Sequence, residues 1–130
     1  MAAELSKKLL VKPDSRVLLL NAPIGYAKKL EPLPPGATLS DKRGRPADVV
    51  IAFVRDGGEL KRLATSFAAL EEDAVLWVCY PQGGSAAGTD LDRDALHAAM
   101  EKHELVGVSL VAFDERWSAM RFRAPEDVGS

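Results

Sequence analysis

Cysteine occurs once in the 130 residues, at Cys79, so the chain can form no internal disulfide and no multi-cysteine zinc site. Long hydrophobic runs are lacking as well. The longest, Val49-Val-Ile-Ala-Phe-Val54, is far short of the roughly 20 residues that cross a bilayer, and Met1-Ala-Ala-Glu-Leu-Ser-Lys-Lys8 has no signal-peptide core. A cytoplasmic protein, neither inserted nor exported, is expected. There is no excess of one charge: 17 Lys+Arg against 19 Asp+Glu give a net charge of −2, which excludes nucleic-acid binding by bulk positive charge. Disorder is excluded too, because 47% of the residues are hydrophobic and a chain of this length can bury a core unaided.

The charge that is present is unevenly spread. Residues 1–65 carry a net +5 and residues 66–130 a net −7, a pattern that suits self-association or a charged ligand, and equally an ordinary solvated surface. Four segments are short and rich in β-branched or large apolar residues: Arg16–Leu20, Asp48–Val54, Ala74–Tyr80 and Val106–Phe113. They read as strands, three of them covered on both faces. Leu60, Leu63, Ala64, Phe67 and Leu70 recur at helical spacing after Gly57-Gly58, and Leu91, Ala95, Ala98, Ala99 and Met100 do so less regularly after Thr89. Thr89-Asp-Leu-Asp92 reads as a helix N-cap with an acidic third residue, and Asp90, Asp92 and Asp94 sit at the positive end of that helix's dipole.

Strands alternating with helices predict a three-layer α/β, Rossmann-like fold with a mostly parallel sheet. Phe113-Asp-Glu-Arg-Trp117 leaves room only for a turn before Trp117–Arg123, so the sheet should end in an antiparallel hairpin. The proline- and glycine-rich stretch Glu31–Pro46 allows at most one short strand, near Ala37–Leu39. One domain over residues 5–123 is expected, followed by a tail, 124–130, that lacks an apolar anchor and is expected to be mobile.

Ligands of open α/β sheets sit beyond the carboxyl ends of the strands, so the loops after Leu20, Val54, Tyr80 and Phe113 are where a site belongs. The first, Asn21-Ala-Pro-Ile-Gly25, has one glycine where close approach of backbone to a ligand usually takes two or three, and Pro23 removes a donor. Asp41, about 20 residues on, has the offset of an acid that holds a ribose hydroxyl, although it reads more simply as a loop surface residue. A P-loop and the acidic loop of a phosphate-accepting receiver are both absent. Gln82–Gly88 is the segment best suited to cradling an anion, yet the three aspartates that follow would repel one. Cys79, inside an apolar strand, reads as core, and His97 and His103, six apart, are wrongly spaced for a metal. Asp114 and Glu115 could supply a general base or be turn residues. Trp117 either packs in the core or lines a ligand loop. No aromatics interleave with the N-terminal lysines and arginines, so nucleic acid is not the expected partner.

Three motifs, Val17-Leu-Leu-Leu-Asn-Ala-Pro-Ile-Gly-Tyr26, Leu76-Trp-Val-Cys-Tyr-Pro81 with Thr89-Asp-Leu-Asp-Arg93, and Asp114-Glu-Arg-Trp-Ser-Ala-Met-Arg-Phe-Arg123, resemble a family of small bacterial proteins of unknown function. The resemblance runs from about Leu5 to Arg123 and implies a Rossmann-like fold without an assigned activity. More distantly the chain is similar to a shortened class I S-adenosylmethionine-dependent methyltransferase. Lys12–Leu20 matches that fold's lead-in and first strand, Leu70–Val78 its middle turn and strand, and the final hairpin its antiparallel end. The degenerate glycine loop, the lack of a nucleophile–base pair and the charge asymmetry lead to the expectation of a non-catalytic module without a cofactor, acting through a ligand, a protein partner or a second copy. The alternative is a small S-adenosylmethionine-dependent transferase. Ligand contacts are expected from Asn21, Gly25, Tyr26, Tyr80, Ser85 and Trp117.

Overall fold

The computed structural model describes residues 2–31, 33–41, 47–67, 74–82 and 88–123. Six strands form one sheet in the order β2-β1-β3-β4-β6-β5. They are β1 (Arg16–Leu20), β2 (Thr38–Ser40), β3 (Val49–Phe53), β4 (Val75–Pro81), β5 (Val106–Ala112) and β6 (Trp117–Arg123). The first four pair in parallel, with Leu18 beside Ser40 on one side and Val50 on the other, and Ile51 beside Trp77. β6 runs antiparallel to both β4 and β5. This is the mixed, mostly parallel sheet with a terminal hairpin that the apolar runs predict. Residues 42–46, Leu70 and the tail 124–130 lie outside the described residues.

β3 is buried at every position because it has parallel neighbours on both sides and a helical layer on each face. On β4 the pleat sends Leu76, Val78 and Tyr80 to one face and Trp77 and Cys79 to the other. The first face packs under α2 (Gly57–Phe67) and α3 (Arg93–Glu101), through Leu60, Leu96 and Met100. The second packs under α1 (Ala2–Lys8) and a short 3-10 helix (Tyr26–Leu30), through Leu9 and Leu30. The result is three layers.

Two details depart from the sequence expectation. α1 is not predicted, since seven residues are too few to be helical on their own propensity. Tertiary bonds hold it instead: the Ser6 hydroxyl donates to the Leu30 carbonyl at 2.6 Å, and Trp77 Nε1 donates to the Leu9 carbonyl at 2.9 Å. α3 starts later than the Thr89 cap predicts. Its cap is Asp92, which accepts from the Ala95 N–H at 2.8 Å. Thr89 is used elsewhere, donating to the Arg55 carbonyl at 2.6 Å, while Asp90 accepts from the Gly57 N–H at 2.9 Å. The segment before α3 therefore clamps the start of α2.

Candidate ligand cavity at the carboxyl edge of the sheet

The connection from β1 leads to one side of the sheet and that from β3 to the other, so a crevice is expected between their carboxyl ends. Asn21 sits there with φ 59°, in the left-handed region where asparagine is the commonest substitute for glycine. Its side-chain amide donates to the Phe53 carbonyl at 2.8 Å and to Glu59 at 3.2 Å. Gly25, with φ 85°, supplies a second left-handed residue and starts the 3-10 helix that carries Tyr26. The loop thus has two left-handed bends although it has one glycine. Among the described residues, no group accepts from the N–H of Ala22, Ile24 or Gly25.

At β3, Arg55 and Asp56 lead into α2. Glu59 accepts from the Arg55 N–H at 2.7 Å and pairs with its guanidinium at 3.2 Å, and Asp56 accepts from the Glu59 N–H at 2.9 Å. Asp56-Gly-Gly-Glu59 works as a capping box displaced by one residue. Together with Asp90 it fills the start of α2 with carboxylates, so that helix end does not attract an anion.

The β5–β6 turn is organised by Asp114. Its carboxylate accepts from Lys29 Nζ at 2.6 Å and from the backbone N–H groups of Arg116 and Trp117 at 2.8 and 2.9 Å. Burial alone would push its pKa up, but those bonds and one from the Tyr26 hydroxyl hold it below the ordinary aspartate value. Burial and the bond to Asp114 in turn raise the Tyr26 hydroxyl. Of the two acidic residues in the turn, Asp114 is committed to structure and only Glu115 faces open space. Tyr26 lies against Phe113 in a stacked pair at 5.8 Å, with the Lys29 ammonium 4.2 Å from its ring centre. Trp117 meets Tyr26 and Phe53 edge-on at 6.4 and 5.1 Å.

Between these loops lies a cavity of about 500 Å³. Pro23 and Tyr26 line it from the first loop, Arg55 from the second, and Pro81 and Gln82 from the third; the hairpin turn adds Glu115, Arg116 and Trp117. Of the six residues expected to contact a ligand, Tyr26 and Trp117 form its walls. Gly25 and Asn21 shape the loop beside it. Tyr80 faces the other way: it is buried under α3, because the strand pleat turns it away from Trp117's face. Ser85, like the rest of the 83–87 segment, lies outside the described residues. Asp41 directly follows β2 at the same sheet edge and is exposed. The sequence missed Arg55, Gln82 and Arg116, for which the only signal was their place at strand ends. Cys79 is fully buried, which pushes its thiol pKa well up and leaves it unreactive. Among the described residues no group of three His, Cys, Asp or Glu could hold a metal, and no helix is long and apolar enough to cross a membrane.

No protein-family model matches the sequence, and no curated protein matches it. Solved structures do match in fold. The ribosomal protein L11 methylase of Lactobacillus delbrueckii subsp. bulgaricus superimposes with a TM-score of 0.63 at 12% identity, over 95% of this chain and 76% of that one. A release-factor-specific protein-(glutamine-N5) methyltransferase from Alicyclobacillus acidocaldarius gives 0.53 at 15% identity, over 95% of this chain and 90% of that one. LepI in complex with SAM gives 0.51 at 16% identity; there the match covers 95% of this chain but 39% of LepI. The chain has the Rossmann-like fold of the class I S-adenosylmethionine-dependent methyltransferases in shortened form, as the distant resemblance implied.

The expectation of a non-catalytic module is overturned by these neighbours, several of which are methyltransferases and one of which holds SAM; they favour the transferase alternative. The glycine-loop argument behind that expectation is answered in part, since Asn21 takes a left-handed backbone conformation as a glycine would. A missing nucleophile is no obstacle either, because direct transfer from an activated donor needs positioning more than it needs a protein nucleophile.

Proposed function

We propose that the chain is a small methyltransferase-like transferase that binds S-adenosylmethionine at the carboxyl edge of its sheet. One observation carries this reading: beside the Asn21–Gly25 loop that would hold the donor, a cavity with room for an acceptor opens next to both Pro23 and Pro81, where a partner-binding module could have packed the same loops shut. The donor set of this edge fits an adenosyl ligand. Asp41, after β2, offers a carboxylate to a ribose diol, and the N–H groups of Ala22, Ile24 and Gly25 offer donors to an amino-acid carboxylate. When bound, the sulfonium group supplies an activated methyl. The chain's own residues supply orientation, through the Asn21–Glu59–Arg55 network that fixes the loop and the Tyr26 and Trp117 side chains that form apolar walls of the cavity.

Calorimetric titration with S-adenosylhomocysteine and S-adenosylmethionine tests this. Saturable binding is expected, with Asp41→Asn about tenfold weaker, the cost of losing one hydrogen bond to a charged group. No heat from either compound at millimolar concentration would reject the reading.

A further inference from the structure

We propose that the cavity beside Trp117 takes an anionic acceptor, a carboxylate or phosphate carried on a compact apolar body. This inference rests on the transferase reading above and names its substrate class. Two arginines line the cavity but differ in their commitments. Arg55 is tied to Glu59, which also draws Arg62 to 4.0 Å. Arg116 is exposed, and no described residue pairs with its guanidinium. Its backbone alone serves the hairpin turn: its N–H donates to Asp114, and its carbonyl accepts from the Gln82 N–H at 2.9 Å. Among the described residues nothing competes for the guanidinium, and its planar array of donors matches a carboxylate or phosphate.

The walls determine what the anion is carried on. Pro23, Pro81 and the edges of Tyr26 and Trp117 are apolar. Tyr26 is already engaged by Phe113, stacked at 5.8 Å, and by the Lys29 ammonium over its ring, so the walls offer apolar contact more than a free stacking platform. That suits a small body one or two rings wide in a space of about 500 Å³. Gln82 donates its amide N–H to the Asp114 carbonyl at 3.0 Å, which anchors the third wall to the turn that carries Arg116. Glu115 lines the same cavity with the opposite charge and opposes an anion; what favours Arg116 is direction, since its planar fork of donors can bond a carboxylate or phosphate on two sides at once.

The test is a titration of the full chain with 2-naphthoate, its neutral isostere 2-naphthamide and the cation 2-naphthylmethylamine, followed through the two tryptophan indole N–H signals by NMR. Naphthoate should move the Trp117 signal saturably and leave that of Trp77 in place, with the amide at least about 5-fold weaker and the amine weaker still. Arg116→Gln, a change at an exposed turn side chain that no described residue bonds, should abolish the preference for the carboxylate. Glu115→Gln should tighten naphthoate binding by about 2-fold. Equal binding of the three probes, an unchanged preference in Arg116→Gln, weaker naphthoate binding in Glu115→Gln, or no movement of the Trp117 signal would each overturn the proposal. Failure of the transferase reading is separately visible: selective naphthoate binding in a protein that ignores S-adenosylhomocysteine keeps the anion site and removes the donor.

Discussion

The two faces of the sheet are built from different materials. Under α2 and α3 the core is mainly aliphatic: Leu20, Val50, Leu60, Leu76, Leu96 and Met100 pack together, with Phe122 and Tyr80 as the aromatic members. Under α1 and the 3-10 helix the aliphatic residues are joined by Trp77 and by an aromatic group, Phe53, Phe113 and Trp117, each in ring contact with the partly exposed Tyr26. An aliphatic core fills space in many ways and acts as scaffold. An aromatic one has few good packings and carries polar tips, so it fixes where Lys29, Asp114 and the hairpin turn must lie. The cavity opens on the aromatic side, where one wall residue, Trp117, is also a core residue and another, Tyr26, packs against the core.

The largest expected effects break that contrast directly. Trp117→Ala should cost about 3–5 kcal/mol and also abolish naphthoate binding, because the removed side chain belongs to core and cavity at once. Leu96→Ala, fully buried on the other face, should cost about 2–5 kcal/mol yet leave the affinity of the folded fraction unchanged. Urea denaturation gives the stabilities, and titration below the unfolding midpoint gives the affinities. If Leu96→Ala weakened binding as much as Trp117→Ala, scaffold and site would not be separable.

A smaller effect concerns the first loop. Alanine at position 21 would pay for a φ of 59° without the help an asparagine side chain gives, and would lose the bond to the Phe53 carbonyl, about 2 kcal/mol together. Glycine loses the bond and relieves the strain, so Asn21→Gly should be destabilised by about 1 kcal/mol or less. Equal losses in the two variants would show that the left-handed bend does not constrain residue 21.

Strand positions were legible in the sequence because a continuous apolar run such as Val49–Phe53 has one economical home, the middle of a parallel sheet. The hairpin was legible because four residues between Val106–Ala112 and Trp117–Arg123 leave space for nothing else. Which face a strand residue takes was not. Tyr80 and Trp117 are both aromatic and both near strand ends, yet only the pairing register, which sets Tyr80 opposite Ser118, shows that they point apart. Asn21 misled for a similar reason: a residue's backbone conformation is invisible in its name, and a left-handed asparagine reads as a lost glycine. The cap of α3 was misplaced because Thr89, Asp90 and Asp92 are all good cap residues, and contacts with α2, more than 30 residues earlier in the chain, chose among them.

The smallest expected effect tests how the aromatic face is held to the turn. Asp114 has a folded pKa below its unfolded value near about 3.9, because the bonds from Lys29, the Arg116 and Trp117 amides and the Tyr26 hydroxyl outweigh its burial. Between those two values the unfolded chain binds more protons than the folded one. The stability contributed is therefore complete above the unfolded value and is lost as pH falls through the folded one. Asp114→Asn keeps the shape of the turn but removes the charge that attracts Lys29, and should cost about 1 kcal/mol at pH 7. The gap between wild type and variant should then narrow as the pH is lowered from 5 toward 2, as seen by urea unfolding at several pH values. A gap independent of pH would mean that the Asp114 charge contributes nothing, and that the aromatic packing alone holds the turn over the cavity.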